Sequence, residues 1–356
     1  MQIKHPLHPE EITPDWVTFV LNESGILKET YVKGLKKDLI GGGKGFLSSV
    51  VRVELIFDKI EPGCPSSLVI KIEPENEIYK QFGDETHAFQ REIHFYNEIA
   101  DKVDIRLPKV YYTVDEPPAY CLVMEDLNSY VPGNQVIGMH HDKVIATVEL
   151  IAKLQAKYWD NEALNALDWM PHTNSILIDN NYWTSFVDNY GYLLSPEAIK
   201  AGEKLVNSID WIIKEKGNRK KTIVHCDLRE DNLMFGNEEL NNEIIIIDWQ
   251  LAVKNIGAFD VARLVGGSEI ILERQGHEFE ILQYWYKTLL NEGVEDYSWD
   301  DAVYDFKLGA LYCLCFPIHF HNASIGKKGR IQNLREVMIR GHFTSVLEID
   351  AVSILP

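Results

Sequence analysis

The feature that most constrains the fold is a dense polar segment, HCDLREDNLMF at 225–235. It lies between two short apolar runs, TIV at 222–224 and IIIID at 244–248. Short runs rich in β-branched residues are typical of buried strands. A fold built around this segment must therefore hold several charged side chains in loops next to buried strands.

The polar residues have the spacing H-x-D-x-x-x-x-N at His225, Asp227 and Asn232, which is typical of a kinase catalytic loop. An aspartate there can accept the proton of an attacking hydroxyl. The amide oxygen of Asn232 is a hard ligand suited to Mg²⁺, and Asp248 after the apolar run can supply a second one. A polar loop capped by Asp and Asn would show the same residues, so the hypothesis needs support upstream.

A glycine-rich segment precedes a predicted strand. Gly43, Gly45, Ser48 and Val50 fit G-x-G-x-x-G-x-V, with serine in place of the third glycine. Such glycines let backbone N–H groups approach phosphate, although a plain β-turn has the same composition. A Walker A loop is excluded, because Gly45 rather than Ser or Thr follows Lys44.

A lysine and a glutamate complete the pattern. Lys71 stands among apolar residues in LVIKIE, where a buried ammonium needs an anionic partner. Glu92 adjoins Ile93 at the edge of an apolar helix stripe, so it can face the sheet. Each could also be a solvated charge. We predict that Lys71 and Glu92 form an ion pair.

The coarse pattern predicts an α+β fold, with a β-rich N-terminal lobe at 1–126 and a larger helical lobe at 127–356. Thr13-Pro14-Asp15 marks a helix start. The expected strands and helices follow in order: strands from 31 to 73, including 50–57 and 67–73, a helix at 84–100, a strand at 120–127, and a helix at 141–160 followed by mostly helical sequence.

At this point the sequence resembles the aminoglycoside phosphotransferase and choline kinase superfamily, and within it the CHK-kinase-like group with the ecdysteroid kinase-like proteins. The similar segments, between about 40 and 265, are GGGKGFLSSVVRV, SLVIKI, REIHFY, LVMEDL, AKLQAKYW, IVHCDLREDNLMF and IIIIDWQLA. The resemblance implies a bilobal protein-kinase-like fold and transfer of the ATP γ-phosphate to a small-molecule hydroxyl.

The resemblance also implies residue roles. Lys71 would contact the ATP phosphates and Glu92 would hold it in place. Asp227 would be the catalytic aspartate, and Asn232 and Asp248 would bind Mg²⁺.

Further positions follow from the same resemblance. Backbone groups near Glu125 and Leu127 would face adenine, and His225 is expected to brace the loop. Two residues depart from the common pattern, since Cys226 replaces a glycine and Arg229 stands where many members have histidine. Neither change removes a catalytic group, but Arg229 could alter contacts to phosphate or substrate.

The sequence favours a small-molecule acceptor over a protein. A long insertion separates Asp160 from His225, and no A-P-E motif follows Asp248. The acceptor is expected to be an amino alcohol, an aminoglycoside or a sterol-like alcohol. A catalytically inactive nucleotide-binding or scaffold protein of the same fold is the alternative.

Composition restricts the partners. The net charge of −19 argues against binding to nucleic acid or to an anionic membrane. The chain has no apolar run near the roughly 18 residues of a membrane helix. Its N-terminus has no apolar signal region, and five cysteines without framework spacing fit reduced thiols, so a cytoplasmic location is expected.

Two further segments leave alternatives open. One mixes aromatic and acidic residues and could form a cation–π cage or an ordinary amphipathic helix: Asp296, Tyr297, Trp299, Asp300, Asp301, Tyr304 and Asp305. The other, Cys313-x-Cys315 with His319 and His321, could bind zinc, but its apolar context favours ordinary core.

Overall fold

The computed structural model describes residues 4–40, 48–117, 119–172, 178–268 and 270–356. The chain has the predicted α+β fold, with an antiparallel sheet in its N-terminal part and helices in its C-terminal part. Its contacts divide it into two compact units. The first comprises 1–102, 106–131 and 236–250, and the second comprises 103–105, 132–235 and 251–356. The predicted lobe boundary at residue 126 remains a prediction, and contacts add the return segment 236–250 to the first unit.

The first unit contains a five-stranded antiparallel sheet. Its strands are β1 (Val32–Ile40), β2 (Ser49–Phe57), β3 (Ser67–Ile72), β4 (Val110–Glu116) and β5 (Ala119–Glu125). Their order across the sheet is β1-β2-β3-β5-β4. Strands β2 and β3 alternate buried and less buried residues over much of their length, as expected when successive side chains point to opposite faces, whereas β5 is buried along almost its whole length.

One face of this sheet shares a core with helix α1 (Pro14–Glu23). The helix begins as predicted, because the Thr13 side chain accepts a hydrogen bond from the Trp16 backbone N–H and Pro14 occupies the first turn. Leu68, Ile70 and Ile72 of β3 belong to that core. The intervening residue Lys71 therefore points to the opposite face.

Two helices follow β3 where the sequence predicts one. Helix α2 (Glu77–Thr86) ends and α3 (Ala88–Glu98) begins at His87, whose φ of 53° is left-handed. The single helix predicted at 84–100 is therefore wrong at its start. A histidine can adopt this conformation, but it is not a typical breaker residue, so periodicity alone does not reveal the break.

The second unit is mostly helical. Its helices are α4 (His141–Lys157), α5 (Glu162–Asn165), α6 (Asn180–Tyr190), α7 (Pro196–Asn207), α8 (Ile209–Asn218), α9 (Ala258–Ser268), α10 (Ile271–Arg274), α11 (Glu278–Asn291), α12 (Trp299–Cys313), α13 (Cys315–Ser324) and α14 (Arg330–Glu348). The short strands in this part of the chain are β6 (Val131–Pro132), β7 (Thr222–Val224), β8 (Leu233–Phe235), β9 (Ile244–Ile246, in the first unit) and β10 (Val253–Asn255).

Helix α9 lies at the centre of the second unit. All of its residues are buried, and it packs against α4, α11, α12 and α14. Strands β7 and β10 pair antiparallel. The polar segment at 225–235 begins directly after β7. A helix buried on every side must pair any charge that it carries.

None of the helices in the described part of the chain combines the length and the apolar composition needed to cross a bilayer.

Candidate active site

The first unit brings Lys71, Glu92 and Asp248 together. The Lys71 ammonium donates to both carboxylate oxygens of Glu92 at 2.8 and 2.6 Å and to Asp248 Oδ1 at 2.9 Å. The predicted ion pair between Lys71 and Glu92 is therefore confirmed. Asp248 joins it although it lies 177 residues further along the chain.

An aromatic stack fixes Asp248 relative to this pair. The ring of Trp249 stacks on Phe95 with a centroid separation of 3.9 Å and an interplanar angle of 8°. Phe95 lies three residues after Glu92 on α3, and positions three apart share a helix face. Asp248 itself has a left-handed φ of 71°. Such a backbone costs about 1–3 kcal/mol in a non-glycine residue and is concentrated at functional sites.

This cluster carries one positive and two negative charges. Burial opposes the charge on Lys71, yet the nearby carboxylates of Asp248 and Glu92 raise its pKa above the ordinary value. Burial raises the pKa of Glu92, against the attraction of Lys71. Two carboxyl groups face one ammonium here, and the partly exposed Asp248 has oxygen lone pairs left over for a cation.

The glycine-rich segment leads into strand β2 beside Lys71. Val50 is the cross-strand partner of Lys71 on one side and of Ile40 on the other. Ser48 comes directly before β2 and is half-buried. The predicted phosphate-binding residues Gly43 and Gly45 lie outside the described residues.

Of the residues predicted to lie near adenine, Glu125 ends strand β5 and Leu127 follows two residues later. The Glu125 carboxylate accepts from the Lys109 backbone N–H at 2.6 Å and pairs with Arg106 at 2.6 Å. The Leu127 carbonyl accepts from the Tyr130 N–H at 2.9 Å. A role in binding adenine stays a prediction.

The second unit brings the polar loop residues together around Asp227. Its Oδ2 accepts from Arg229 Nε at 2.9 Å and from Asn232 Nδ2 at 3.1 Å. Its Oδ1 accepts from Arg263 Nη2 of α9 at 2.8 Å. Asp227 is thus held between two guanidinium groups and one amide.

A second aspartate holds the backbone of the same loop. The buried carboxylate of Asp260, on α9, accepts from the backbone N–H groups of His225 at 2.8 Å and Cys226 at 3.0 Å. The His225 ring accepts from the Asp227 N–H at 3.2 Å, which is the bracing contact predicted for it. Cys226 has a left-handed φ of 70°, which explains why a glycine is common at this position.

The surroundings of Asp227 and Asp260 shift the pKa values of these two carboxyl groups in opposite directions. Burial opposes ionisation of Asp227, but Arg229 and Arg263 lower its pKa below the ordinary value. Burial raises the pKa of Asp260 to about 7, although the two backbone N–H donors favour its charged form. Asp227 is therefore ionised at neutral pH and is a weak base in this state.

Arg229 also links Asp227 to an outer network. Its Nη1 donates to Asp231 Oδ2 at 2.8 Å and to Gln135 Oε1 at 3.0 Å. Asp231 in turn accepts from Arg330 at 2.6 Å. The arginine that departs from the family's usual histidine therefore orients the loop in addition to balancing its charge.

The residues expected to hold Mg²⁺ fit that ion by their chemistry. Asn232 donates through Nδ2 to the carbonyl and carboxylate of Asp227, at 2.9 and 3.1 Å. Because both partners are acceptors, the nitrogen must face them and the amide oxygen must point elsewhere. Asp248 offers a partly exposed carboxylate. One amide oxygen and one carboxylate are a suitable protein contribution to a magnesium site.

Sequence reasoning missed three contributors to these clusters. Asp260 and Arg263 are on one helix, and Trp249 follows Asp248. A signal was present for the helix, because AFDVARLVGG is apolar on all sides apart from its aspartate and arginine. Charges at such positions require buried partners.

The aromatic and acidic segment at 296–305 already pairs with a cation from elsewhere in the chain, Arg219. Arg219 pairs with Asp305 at 2.5 Å and Asp301 at 2.8 Å, and its guanidinium lies over the Tyr304 ring at 5.1 Å. The amphipathic-helix interpretation therefore fits this segment better than a cage for a ligand cation.

The zinc interpretation of Cys313 and Cys315 is not supported either. Both thiols are buried, and burial raises their pKa well above the ordinary value. His321 bonds the Ile318 carbonyl and Ser185 instead. These residues form part of the core, as their apolar context predicted.

Comparison with solved structures establishes the fold. A Ralstonia eutropha JMP134 protein assigned provisionally to the aminoglycoside phosphotransferases matches with a TM-score of 0.56 and 14% identity, covering 95% of this chain and 98% of that one. A choline/ethanolamine kinase family protein from Mesorhizobium loti matches with a TM-score of 0.51 and 11% identity, covering 90% of this chain and 93% of that one. The GDP complex of aminoglycoside 2′-phosphotransferase-IIIa matches with a TM-score of 0.50 and 13% identity, covering 93% of this chain and 98% of that one.

Sequence comparison identifies the family. No curated protein matches this chain. The model of the DUF1679 family, whose description is "Uncharacterized oxidoreductase dhs-27", matches residues 66–321. This range contains Lys71, Glu92, Asp227, Asn232 and Asp248. The chain therefore belongs to the DUF1679 family, the CHK-kinase-like group that the sequence resembles, and it shares its fold with aminoglycoside phosphotransferases and choline/ethanolamine kinases.

Proposed function

We propose that the protein is a small-molecule kinase that transfers the γ-phosphate of ATP, with Mg²⁺, to a hydroxyl group of an organic acceptor. The strongest support is the contact of Lys71 with both Glu92 and Asp248. A lysine held by a helix glutamate and placed beside a metal-binding aspartate is the arrangement that phosphoryl transfer requires.

The contacts of Lys71 suggest how nucleotide would be accommodated. Its ammonium carries three N–H donors, and the described contacts direct them to Glu92 and Asp248. We infer that Lys71 exchanges Asp248 for a phosphate oxygen when nucleotide binds, while Glu92 keeps it in position. Mg²⁺ bound by Asn232 and the released Asp248 would neutralise phosphate charge.

Asp227 would act on the acceptor. The acceptor oxygen forms a bond to the γ-phosphorus, the bond from that phosphorus to the ADP oxygen breaks, and the hydroxyl proton passes to the Asp227 carboxylate. Because its pKa is lowered, Asp227 first orients the hydroxyl by accepting a hydrogen bond. Proton transfer then follows late, which suits a loose transition state that needs little prior deprotonation.

The fold and the net charge both bear on the class of acceptor. Solved proteins with this fold include an aminoglycoside phosphotransferase and a choline/ethanolamine kinase family member. The net charge of −19 also favours a cationic acceptor such as an amino alcohol or an aminoglycoside. A sterol-like alcohol would gain nothing from that charge.

The oxidoreductase in the family description is not proposed for this chain. The sequence contains no G-x-G-x-x-G segment, the fingerprint of many dinucleotide-binding sites. The residues clustered around Lys71 and Asp227 suit phosphate and hydroxyl groups instead.

The test combines nucleotide binding with an acceptor screen. Saturating ATP with Mg²⁺ should stabilise the fold, by about 2.7 kcal/mol at a hundredfold excess over the dissociation constant. Amino alcohols, aminoglycosides, sterols and nucleosides are then screened for stimulated ADP release. Absence of any thermal shift with nucleotide, with or without metal, would contradict the proposal. Nucleotide binding without ADP release for any acceptor would favour the inactive alternative.

A further inference from the structure

We propose that His141, His277 and Glu280 form a binding site for a divalent transition-metal ion, with Zn²⁺ as the preferred ion. Each residue can direct one ligand atom to a common point, because these atoms all lie within 4.8 Å of one another. The site lies in the second unit and shares no residue with the proposed phosphotransfer machinery.

The three residues stand at the starts of two packed helices. His141 opens α4, while His277 precedes α11 and Glu280 lies in its first turn. These helices pack against each other. The two imidazole rings lie 5.1 Å apart between centroids, and His277 Nδ1 is 2.6 Å from Glu280 Oε2.

These distances are compatible with coordination after small side-chain rotations. A tetrahedral zinc ion with Zn–N bonds of about 2.1 Å separates its ligand atoms by roughly 3.4 Å. The widest gap would therefore close, and the short contact between His277 and Glu280 would open to admit the ion. Both of these side chains are about half exposed, so neither is enclosed by surrounding protein.

The backbone that carries the ligands is held firmly. Glu273 accepts from the His141 backbone N–H at 3.1 Å. Arg274, which is fully buried, pairs with Glu348 at 2.9 Å and so anchors the segment just before His277. A site built on anchored backbone loses less conformational freedom when it binds an ion.

The ligand set selects the kind of ion. Two imidazoles and one carboxylate suit zinc and similar transition metals, whereas Mg²⁺ and Ca²⁺ prefer oxygen ligands. The positive ends of helices α4 and α11 disfavour any cation held by charge alone. An ion bound here must therefore gain its affinity from bonds to nitrogen. Three protein ligands would leave a fourth position for water.

The test uses untagged full-length protein without nucleotide. Co²⁺ is titrated while its visible absorption is recorded, and Zn²⁺ is then added as a competitor. Wild-type protein should bind one Co²⁺ with a tetrahedral spectrum that Zn²⁺ removes and Mg²⁺ leaves unchanged. His141→Ala, His277→Ala and Glu280→Gln should each weaken binding by about 10-fold or more.

His94→Ala is the matched control. His94 is a partly exposed histidine that contacts Glu98 at 2.9 Å and Asp115 at 3.5 Å, so it combines one imidazole with two carboxylates. His94→Ala should leave the affinity for Co²⁺ unchanged. Wild-type affinity in both His141→Ala and His277→Ala, or no cobalt spectrum in the parent, would overturn the proposal. His277→Gln, checked by circular dichroism, replaces His277→Ala if that variant unfolds.

Discussion

Replacing Arg263 with methionine tests whether this buried arginine sets the charge state of Asp227. Methionine keeps apolar volume next to Phe316, over whose ring the guanidinium lies at 4.8 Å, but removes the 2.8 Å bond to Asp227 and the 3.1 Å bond to the ring of His342. Arg229 still pairs with Asp227, so the carboxylate is not left alone. The expected cost at neutral pH is therefore that of the charged hydrogen bond to Asp227, about 1.5–3 kcal/mol, and the lost bond to His342 adds about 1 kcal/mol. A fully uncompensated buried charge would cost about 3–5 kcal/mol.

The pKa of Asp227 determines how the stability deficit of Arg263→Met changes with pH. Because Arg263 helps to depress the pKa of Asp227, its stabilisation is present above the ordinary value of 3.8 and is lost as pH falls through the folded value. Urea unfolding of Arg263→Met should thus show its full deficit at pH 7 and a smaller one at pH 3. With an acceptor in hand, the acid limb of the kcat profile should move to higher pH, because the weakened pair raises the pKa of Asp227.

Arg274→Met is the matched control, since Arg274 is also fully buried but pairs with Glu278 and Glu348. Arg274→Met should lower the free energy of unfolding without moving the acid limb of the kcat profile. An acid limb that stays in place in Arg263→Met, or moves equally in both variants, would refute the assigned role of Arg263.

Three further outcomes are expected. Asp227→Asn should lower turnover by about 10²–10⁴-fold with little change in ATP affinity, measured by steady-state kinetics and nucleotide titration, and turnover within a few-fold of the parent would exclude it as the catalytic aspartate. Lys71→Met should weaken ATP binding in calorimetry more than it destabilises the fold, whereas an unchanged dissociation constant would show that Lys71 does not contact nucleotide. Cys226→Gly should be more stable than Cys226→Ala by about 1 kcal/mol in urea unfolding, because only glycine removes the cost of its positive φ; the ordinary order, with alanine the more stable, would contradict this.

The contact between Lys71 and Glu92 was predictable because it follows from local chemistry. A lysine among apolar strand residues must find an anion, and a glutamate at the edge of the next helix stripe is well placed. The face of the sheet on which Lys71 lies follows from the alternation of side chains along β3, since Leu68 and Ile70 face the α1 core. Here the periodicity of one strand and one helix was sufficient.

The clamp around Asp227 was not predictable in the same way. Arg263 lies 36 residues from Asp227, and nothing in local pattern states which buried acid a buried arginine will meet. The break at His87 was missed for a different reason, because histidine is not a typical helix breaker and only the structure shows its left-handed backbone. Partners brought together by the fold need the fold to identify them.

The stack of Trp249 on Phe95 has a consequence for regulation. Helix α3 bears Glu92 and Phe95, so one helix contacts both Lys71 and Trp249, the residue next to Asp248. A ligand or modification that rotated α3 would misplace both charges together and leave no half-assembled state. Inhibition acting through this helix would consequently be all-or-none for each molecule, and partial inhibition of a sample would report the fraction of molecules switched.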